Sequence, residues 1–337
     1  MKYVIAGNYG AKNLGDELIL RGLINDLKKK DPGAEITVLS ANKIETEELH
    51  QVSATDPLPA GIRSFFKTFF GKKSRTKKII MDADIFILGG GGLFSKMSWK
   101  ANYIWLKQAS VAMNNGVPIH CLGQSVNIHP NKGIKIRLAE LFTYASEITV
   151  RDRQSVESLR SIGVTKAIKI IADYAFKAHP DLKNSPLDHR KNRVLVCLRQ
   201  LSGLPPNFLF KIAQFLNSLP ADHQILLVDF QKGGADSDDL IHSKLLGLLS
   251  QDGPPHQHIT NLHLDGLIPL FQDAKYVIGM RLHSIITSLI TETPCFSISY
   301  DPKVNNLLET LSKPTGPTPD TFTTEEIQAH YLKTKQE

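Results

Sequence analysis

The segment Gly279-Met280-Arg281-Leu282-His283-Ser284 sets an arginine two residues before a histidine, where an apolar run gives way to a helical pattern. A guanidinium offers a planar fork that matches carboxylate or phosphate, an imidazole titrates near neutral pH, and a helix N-terminus adds partial positive charge. Three anion-favouring features coincide, so His283 is the first candidate for proton transfer and Arg281 for holding a charged substrate. A lone histidine at a helix start is usually a cap or a surface residue. The neighbouring arginine, at the carboxyl end of a strand, reverses that reading here. Arg199 ends another apolar run, Val194-Leu198, and is a second candidate anion ligand, although an arginine after a strand is more often simply solvated.

Two further segments carry glycine where a ligand would need to approach the backbone. The first, Gly7 to Glu17, lies between the first strand and the first helix and offers Asn8, Tyr9, Gly10 and Asn13 as contacts. Its Asp16 and Glu17 are candidate bases by position, while the plainer reading makes Asp16 a helix cap. The second is the run Gly89-Gly90-Gly91-Gly92 after the strand Asp84-Leu88. Four glycines in a row weaken any regular element, and one or two suffice for a strand-to-helix turn. Ligand contact at Gly90, Gly91 and Gly92 is therefore favoured. Neither segment has the dinucleotide Gly-x-Gly-x-x-Gly spacing or the Gly-Lys-Ser/Thr ending of a phosphate loop, so neither NAD nor ATP is indicated.

The elements that must position these residues alternate between strand-like and helical patterns almost throughout, the mark of parallel sheets with helices on both faces. A first series runs through Tyr3-Ala6, Glu35-Ser40, Ile85-Leu88, Pro118-Leu122, Ile148-Arg151 and Ile168-Ala172, with a helix over Asp16-Lys30. A second takes in Arg193-Leu198, Gln224-Asp229, His258-Leu264, Tyr276-Gly279 and Cys295-Ser299, with helices over Phe208-Leu216 and Ser284-Thr291. The expected fold is α/β, with two Rossmann-like domains facing across a cleft (GT-B-like). The domains are 1–177 and 193–312, joined by a polar linker at 178–192 and followed by a tail or peripheral helix at 313–337. Open α/β sheets bind ligands beyond their strand carboxyl ends, so the active site is expected between the domains.

Composition narrows the class. No apolar run reaches membrane-spanning length, because charges interrupt every rich segment within about ten residues. No export signal is legible at Met1-Ala6, and a cytoplasmic protein is expected. Cys121, Cys197 and Cys295 sit singly in apolar runs without paired spacing or histidine companions. They read as reduced, buried thiols, with no metal site. The net charge of +7 is accompanied by no nucleic-acid-binding motif and suits an anionic small substrate equally well.

Taken together, Gly7 to Glu17, Gly89-Gly92, Arg151-Asp152, Met280-Arg281-Leu282-His283 and Ser299-Tyr300-Asp301-Pro302-Lys303 resemble the polysaccharide pyruvyl transferases, in particular their CsaB-like cell-wall members. The likeness keeps its order from about residue 3 to 311, and five ordered motifs are far more specific than one. It implies a GT-B-like fold without a cofactor or metal. It also implies phosphoenolpyruvate as co-substrate and an acceptor sugar, often lipid-linked, that becomes a cyclic pyruvate ketal. Arg199, Arg281 and His283 match positions tied to donor binding and catalysis, and the Asn8-Asn13 and Gly90-Gly92 contacts fall on the acceptor side. The chain departs from the family pattern at Ala172-Asp173-Tyr174, where Ala-Asp-Pro is usual, and at Asn127-Ile128-His129-Pro130; both could reshape the acceptor pocket.

The donor carries a carboxylate and a phosphate close together, which calls for cations and an acid. Arg199 and Arg281 would hold them in bidentate fashion while His283 supplies the proton. The stretch Arg63 to Lys73, continuing to Arg75, Lys77 and Lys78, interleaves aromatics with positive charge. It suits either an anionic membrane surface or a core helix with a solvated basic face. The main rival activity is a GT-B nucleotide-sugar glycosyltransferase, which would need a nucleotide site; a non-catalytic carbohydrate-binding protein is a third reading. Neither the oligomeric state nor the acceptor is legible.

Overall fold

A computed structural model describes residues 1–59, 72–94, 99–234 and 237–334. The chain divides into two compact units: Met1–Ala11 with Asp16–Pro180, and Lys12–Gly15 with Asp181–Glu337. The short loop Lys12–Gly15 thus belongs with the second unit although both flanks belong with the first.

The first unit is built on β1 (Lys2–Ala6), β2 (Glu35–Leu39), β3 (Ser53–Thr55), β4 (Ile85–Leu88), β5 (Gly91–Phe94), β6 (Ile119–Val126), β7 (Glu147–Val150) and β8 (Lys169–Ile170). They form one sheet in the order β3-β2-β1-β4-β6-β7-β8, with β5 also pairing β6. Every pairing is parallel, and β1 lies centrally, with Ile5 opposite Val38 on one side and Ile87 on the other. Strands covered on both faces by helices read as continuous apolar runs, which is why β1 and β4 were legible. Around them lie α1 (Leu14–Lys30), α2 (Lys43–His50), α3 (Lys72–Met81), α4 (Trp99–Asn114), α5 (Lys132–Tyr144) and α6 (Arg153–Ser161). Acids in the first turn of α1 and lysines in its last turn complement the helix dipole. Phe94 and Phe142 meet edge to face within the core, their centroids 5.9 Å apart.

The second unit carries a sheet of β9 (Lys191–Cys197), β10 (Gln224–Val228), β11 (His256–Ile259), β12 (Ala274–Gly279) and β13 (Cys295–Ser297), ordered β11-β10-β9-β12-β13 and parallel. Its helices are α7 (Phe208–Asn217), α8 (Asp239–Leu246), α9 (Leu264–Gln272), α10 (Leu282–Ile290), α11 (Pro302–Thr310) and α12 (Thr324–Lys333). The chain past Leu311 ends in α12, opened by a capping box between Thr323 and Glu326. Its Ile327 and Tyr331 are buried with Phe322 in the second core, so this stretch contributes to the fold.

Several expectations change in detail. β11 stops at Ile259, where its register with Val228 ends, and Leu264 already opens α9. β3 and β5 were not legible, since three residues in one case and two glycines in the other carry too little pattern. Half of the glycine run is therefore a strand. Of the basic-aromatic stretch, residues 63–71 lie outside the described residues; on α3, Arg75, Lys77 and Lys78 are exposed while Ile80 is buried in the core. No described helix is long and apolar enough to cross a membrane. Cys121 and Cys197 are buried thiols; Cys295 is only half-buried, and desolvation pushes its thiol up to about 12.

The departure at Tyr174 is a packing feature of the first unit. Its side chain is buried beside Gly123, and its carbonyl oxygen lies 1.8 Å from where a Cβ on Gly22 of α1 would sit. Gly22→Ala must therefore move α1 or the turn at Tyr174, and about 1–3 kcal/mol of stability is expected to be lost. A urea denaturation midpoint unchanged from wild type would contradict this packing.

Candidate active site

The chemistry-bearing groups of the second unit gather where its strands end. Beyond β9 come Leu198 and Arg199, beyond β10 Asp229 to Gln231, beyond β12 Met280 and Arg281, and beyond β13 Tyr300. The amides of Met280 and Arg281 both donate to the Cys197 carbonyl, at 3.0 and 3.2 Å, which locks the ends of β12 and β9 together.

Arg281 is the extended N-cap residue of α10, and its carbonyl accepts from Ser284 and Ile285. Its side chain is directed at Asp238, with Nε 2.9 and 3.1 Å from the two carboxylate oxygens and Nη2 bonded as well. Asp238 is fully buried, and its Oδ2 also accepts the amides of Phe230 and Gln231, each at 3.0 Å. Burial pushes the Asp238 carboxyl up, against the pull of the Arg281 guanidinium and the Gln231 amide. The fork expected to clamp a substrate thus grips an internal carboxylate along its Nε–Nη2 edge.

His283 follows in the first turn of α10, half-buried, with its ring against Gly15. A Cβ on Gly15 would fall 2.1 Å from His283 Nδ1. That explains a glycine at this point, and it sets Gly15, in the Lys12–Gly15 loop of the second unit, beside His283. The loop is held there by Leu14 N–H on the Phe230 carbonyl at 2.9 Å and by Asn13 Nδ2 on Gln231 Oε1 at 2.7 Å. Asn13 Oδ1 in turn accepts from the Gly15 amide at 2.9 Å. Asn13 is therefore tied to the second unit, apart from Asn8 and Tyr9.

Arg199 differs from Arg281 in having no carboxylate partner among the described residues. Its Nη1 donates to the Tyr300 hydroxyl at 2.7 Å, its guanidinium carbon lies 5.0 Å from the Tyr300 ring centre, and its Nε is buried without a hydrogen-bond partner. Lys303 Nζ stands 5.2 Å from the same ring centre and 3.4 Å from Asp301 Oδ2. The turn Ser299-Lys303 supplies an aromatic face between two cations.

Behind Arg199 lies a second buried network. His242 Nε2 accepts the Leu198 amide at 3.0 Å, so its proton sits on Nδ1, which donates to Asp229 Oδ1 at 2.6 Å. His258 Nε2 reaches the same oxygen at 2.8 Å. These three side chains have the spacing of a metal-binding set. The acceptor role of His242 Nε2 nonetheless keeps a proton on the one nitrogen that would ligate. Burial raises the Asp229 carboxyl, but the two histidine hydrogen bonds outweigh it and hold the pKa below the ordinary 3.8. Neither Asp229 nor Asp238 was singled out from sequence. Asp229 closing an apolar strand was the available signal, whereas Asp238 lies in a polar loop with no pattern.

In the first unit, Asn8 Nδ2 donates to Asp16 Oδ2 at 2.7 Å, and the Cβ position of Gly91 is 3.6 Å from Asp16 Oδ1. Asn8, Asp16 and Gly91 thus come together. Glu17 turns inward, with Oε1 accepting the Gly10 amide at 2.8 Å and Oε2 2.9 Å from buried His50 Nε2. It fastens the loop to α2. Tyr9 is buried, with its hydroxyl lacking a hydrogen-bond partner and its pKa driven up chiefly by desolvation. A Cβ on Gly89 would fall 2.0 Å from that hydroxyl, and one on Gly90 2.9 Å from Ile19. Side-chain packing, without any ligand, accounts for these two glycines. Gly92 lies half-buried within β5. Arg151 pairs with Asp173 and with Ser125 Oγ, while Ser125 donates to Asp152, the N-cap of α6, so the Arg151-Asp152 motif is a buried structural network. His129 accepts the amide of Asn131, the N-cap of α5.

A family model described as polysaccharide pyruvyl transferase matches residues 13–302. The amylovoran biosynthesis protein AmsJ of Erwinia amylovora is 21% identical over 365 residues, covering 93% of this chain and 87% of AmsJ. Among solved structures, HepE of Anabaena in complex with UDP-glucose aligns with a TM-score of 0.63 at 12% identity, covering all of this chain and 90% of HepE. The UDP-GlcNAc 2-epimerase of Neisseria meningitidis aligns at 0.64 with 9% identity, covering 99% and 94%. At such identities the likeness establishes the fold alone, two parallel-sheet α/β domains of GT-B type.

The Asp229 network has a pH signature. A carboxyl whose folded pKa is depressed stabilises the fold fully above its ordinary value of 3.8, and that stabilisation is lost as pH falls through the folded pKa. Asp229→Asn should therefore be less stable than wild type at pH 7, and the gap should close as pH drops below 3.8. A gap that stays constant in denaturant titrations from pH 7 to 3 would contradict the assignment.

Proposed function

We propose, from the premise that this chain belongs to the polysaccharide pyruvyl transferase family, that its pyruvyl donor is phosphoenolpyruvate and its product a cyclic ketal on a sugar. The observation that carries this reading is Arg199. A partly buried guanidinium with an unpartnered Nε, set against Tyr300 and Lys303 and lacking any described acid partner, is suited to an incoming anion. Arg281 sits beyond the adjoining strand, its charge balanced by Asp238, and Lys303 stands 3.4 Å from Asp301 Oδ2, so Arg199 carries most of the attraction for a donor with carboxylate and phosphate groups.

The chemistry follows from the donor. A proton relayed by His283 goes to the methylene carbon, which makes the enol carbon electrophilic. One sugar hydroxyl adds there and gives up its proton. A second hydroxyl of the same sugar then displaces inorganic phosphate and closes the ring, with cations stabilising the departing charge. Asp16 is the candidate base for a hydroxyl; Glu17, with both oxygens engaged by Gly10 and His50, has a structural part. No cofactor or metal is required by this sequence of steps. The exposed basic side chains of α3 would suit an anionic membrane carrying a lipid-linked acceptor.

The deciding measurement is phosphate release from phosphoenolpyruvate with a panel of free and lipid-linked sugars. Release should depend on acceptor. Arg199→Ala should raise the donor KM by about 10- to 100-fold, and His283→Ala should lower kcat by about 10²–10⁴. Gly15→Ala should mimic the histidine loss in part. No release with any acceptor, alongside tight binding of a nucleotide sugar, would replace this reading with glycosyl transfer. Flotation with anionic vesicles at low salt should be weakened by charge reversal at Arg75, Lys77 and Lys78, and absence of binding would remove the membrane proposal.

A further inference from the structure

Arg281 and His283 are two residues apart in sequence but are also joined the long way round, through a closed ring of contacts. Arg281 Nε meets both oxygens of Asp238 at 2.9 and 3.1 Å, and Asp238 Oδ2 accepts the Phe230 and Gln231 amides at 3.0 Å each. The Phe230 carbonyl takes the Leu14 amide at 2.9 Å, and the Gln231 side chain takes Asn13 at 2.7 Å. Asn13 in turn fixes the Gly15 amide, and Gly15 is the floor against which the His283 ring rests. Every member lies in the second unit, and Asp238, fully buried, joins the arginine side to the loop side.

We propose that Asp238 is a positioning residue of the pyruvyl transfer reaction, fixing the Arg281 guanidinium and, through the 230–231 and 13–15 segments, the His283 imidazole in one arrangement. This rests on the reading of Arg281 and His283 as donor-site groups. A buried carboxylate is costly unless its oxygens are satisfied, and here the guanidinium edge and two amides satisfy them. The pair is directional, because a planar fork against a planar carboxylate admits one orientation, whereas a surface ion pair admits many. Without the carboxylate, Arg281 keeps its charge but loses the contact that aims it, and the amides of Phe230 and Gln231 lose their anchor. Asp238 therefore governs the geometry of substrate binding without touching substrate.

Two measurements separate this inference from the donor reading on which it rests. In protein labelled with 15N-arginine, Arg281 should show a slowly exchanging Nε–H resonance, assigned by its loss in Arg281→Lys and expected to vanish in Asp238→Asn while surviving Arg199→Ala. Its absence from wild type would overturn the pairing whatever the donor proves to be. In donor kinetics, Asp238→Asn should lower kcat/KM for phosphoenolpyruvate at least ~10-fold in the wild-type background and several-fold less than that in Arg281→Lys, where only the arm reaching His283 through residues 230–231 and 13–15 is left to lose, with Asp238→Glu restoring part of the loss. Losses that simply multiply in the double variant would show that Asp238 does not act through Arg281 and would overturn the proposal. Should Asp238→Asn fail to fold, the ring is opened instead at Gln231→Ala. That change removes the Asn13 contact while the Leu14 amide stays on the Phe230 carbonyl, and it should lower kcat by ~3- to 10-fold with the donor KM little changed; kinetics equal to wild type would overturn the loop side of the ring.

Discussion

The burial of one ion pair, Arg281 with Asp238, sets the terms for the surrounding second unit. Neither charge is tolerated alone in that position, since removing one partner of such a pair typically costs about 3–5 kcal/mol. The loop after β10, the turn after β12 and the Lys12–Gly15 segment must therefore be compatible with a single placement of one carboxylate. Backbone amides from Phe230 and Gln231 complete its hydrogen bonding, so the constraint reaches main chain as well as side chains.

Parallel strand topology does the rest of the gathering. β9, β10 and β12 are neighbours in the sheet although far apart in sequence, and their carboxyl ends deliver Arg199, Asp229 and Arg281 to one edge. The two arginines there have opposite circumstances. Arg281 is neutralised by Asp238; Arg199 rests on an aromatic face that binds its cation without cancelling its charge. One guanidinium balanced by a carboxylate, beside one with no carboxylate partner among the described residues, avoids assembling two unbalanced charges. Behind Arg199, His242 fixes the Leu198 amide through a tautomer chosen by Asp229, a hydrogen-bond counterpart to the ion pair next door.

Several glycines of this chain stand where its own side chains and backbone leave no room for a Cβ. Gly15 yields to the His283 ring, Gly22 to the Tyr174 carbonyl, and Gly89 to the Tyr9 hydroxyl. In each case the missing Cβ makes room for another part of the same chain, and a ligand-binding reading of the same glycine from sequence alone cannot be told from this one.

The sequence by itself determined the class of fold, because parallel strands buried on both faces must be continuous apolar runs and the helices between them must be periodic. It also determined that Arg281 and His283 share one strand-to-helix turn, since that is a matter of spacing along a single element. What it could not determine was partnership. Glu17 looked like a base until His50 and Gly10 took its oxygens, and Asn13 looked like part of the first loop until Gln231 drew it into the second unit. Asp238, in a loop without pattern, carried no sign of its pairing with Arg281, and no spacing joined Tyr300 to Arg199. Hydrogen bonds between residues separated by tens to hundreds of positions leave no periodicity in a single chain. Only the tertiary structure decided which charges were balanced inside the protein and which, like that of Arg199, have no carboxylate partner among the described residues.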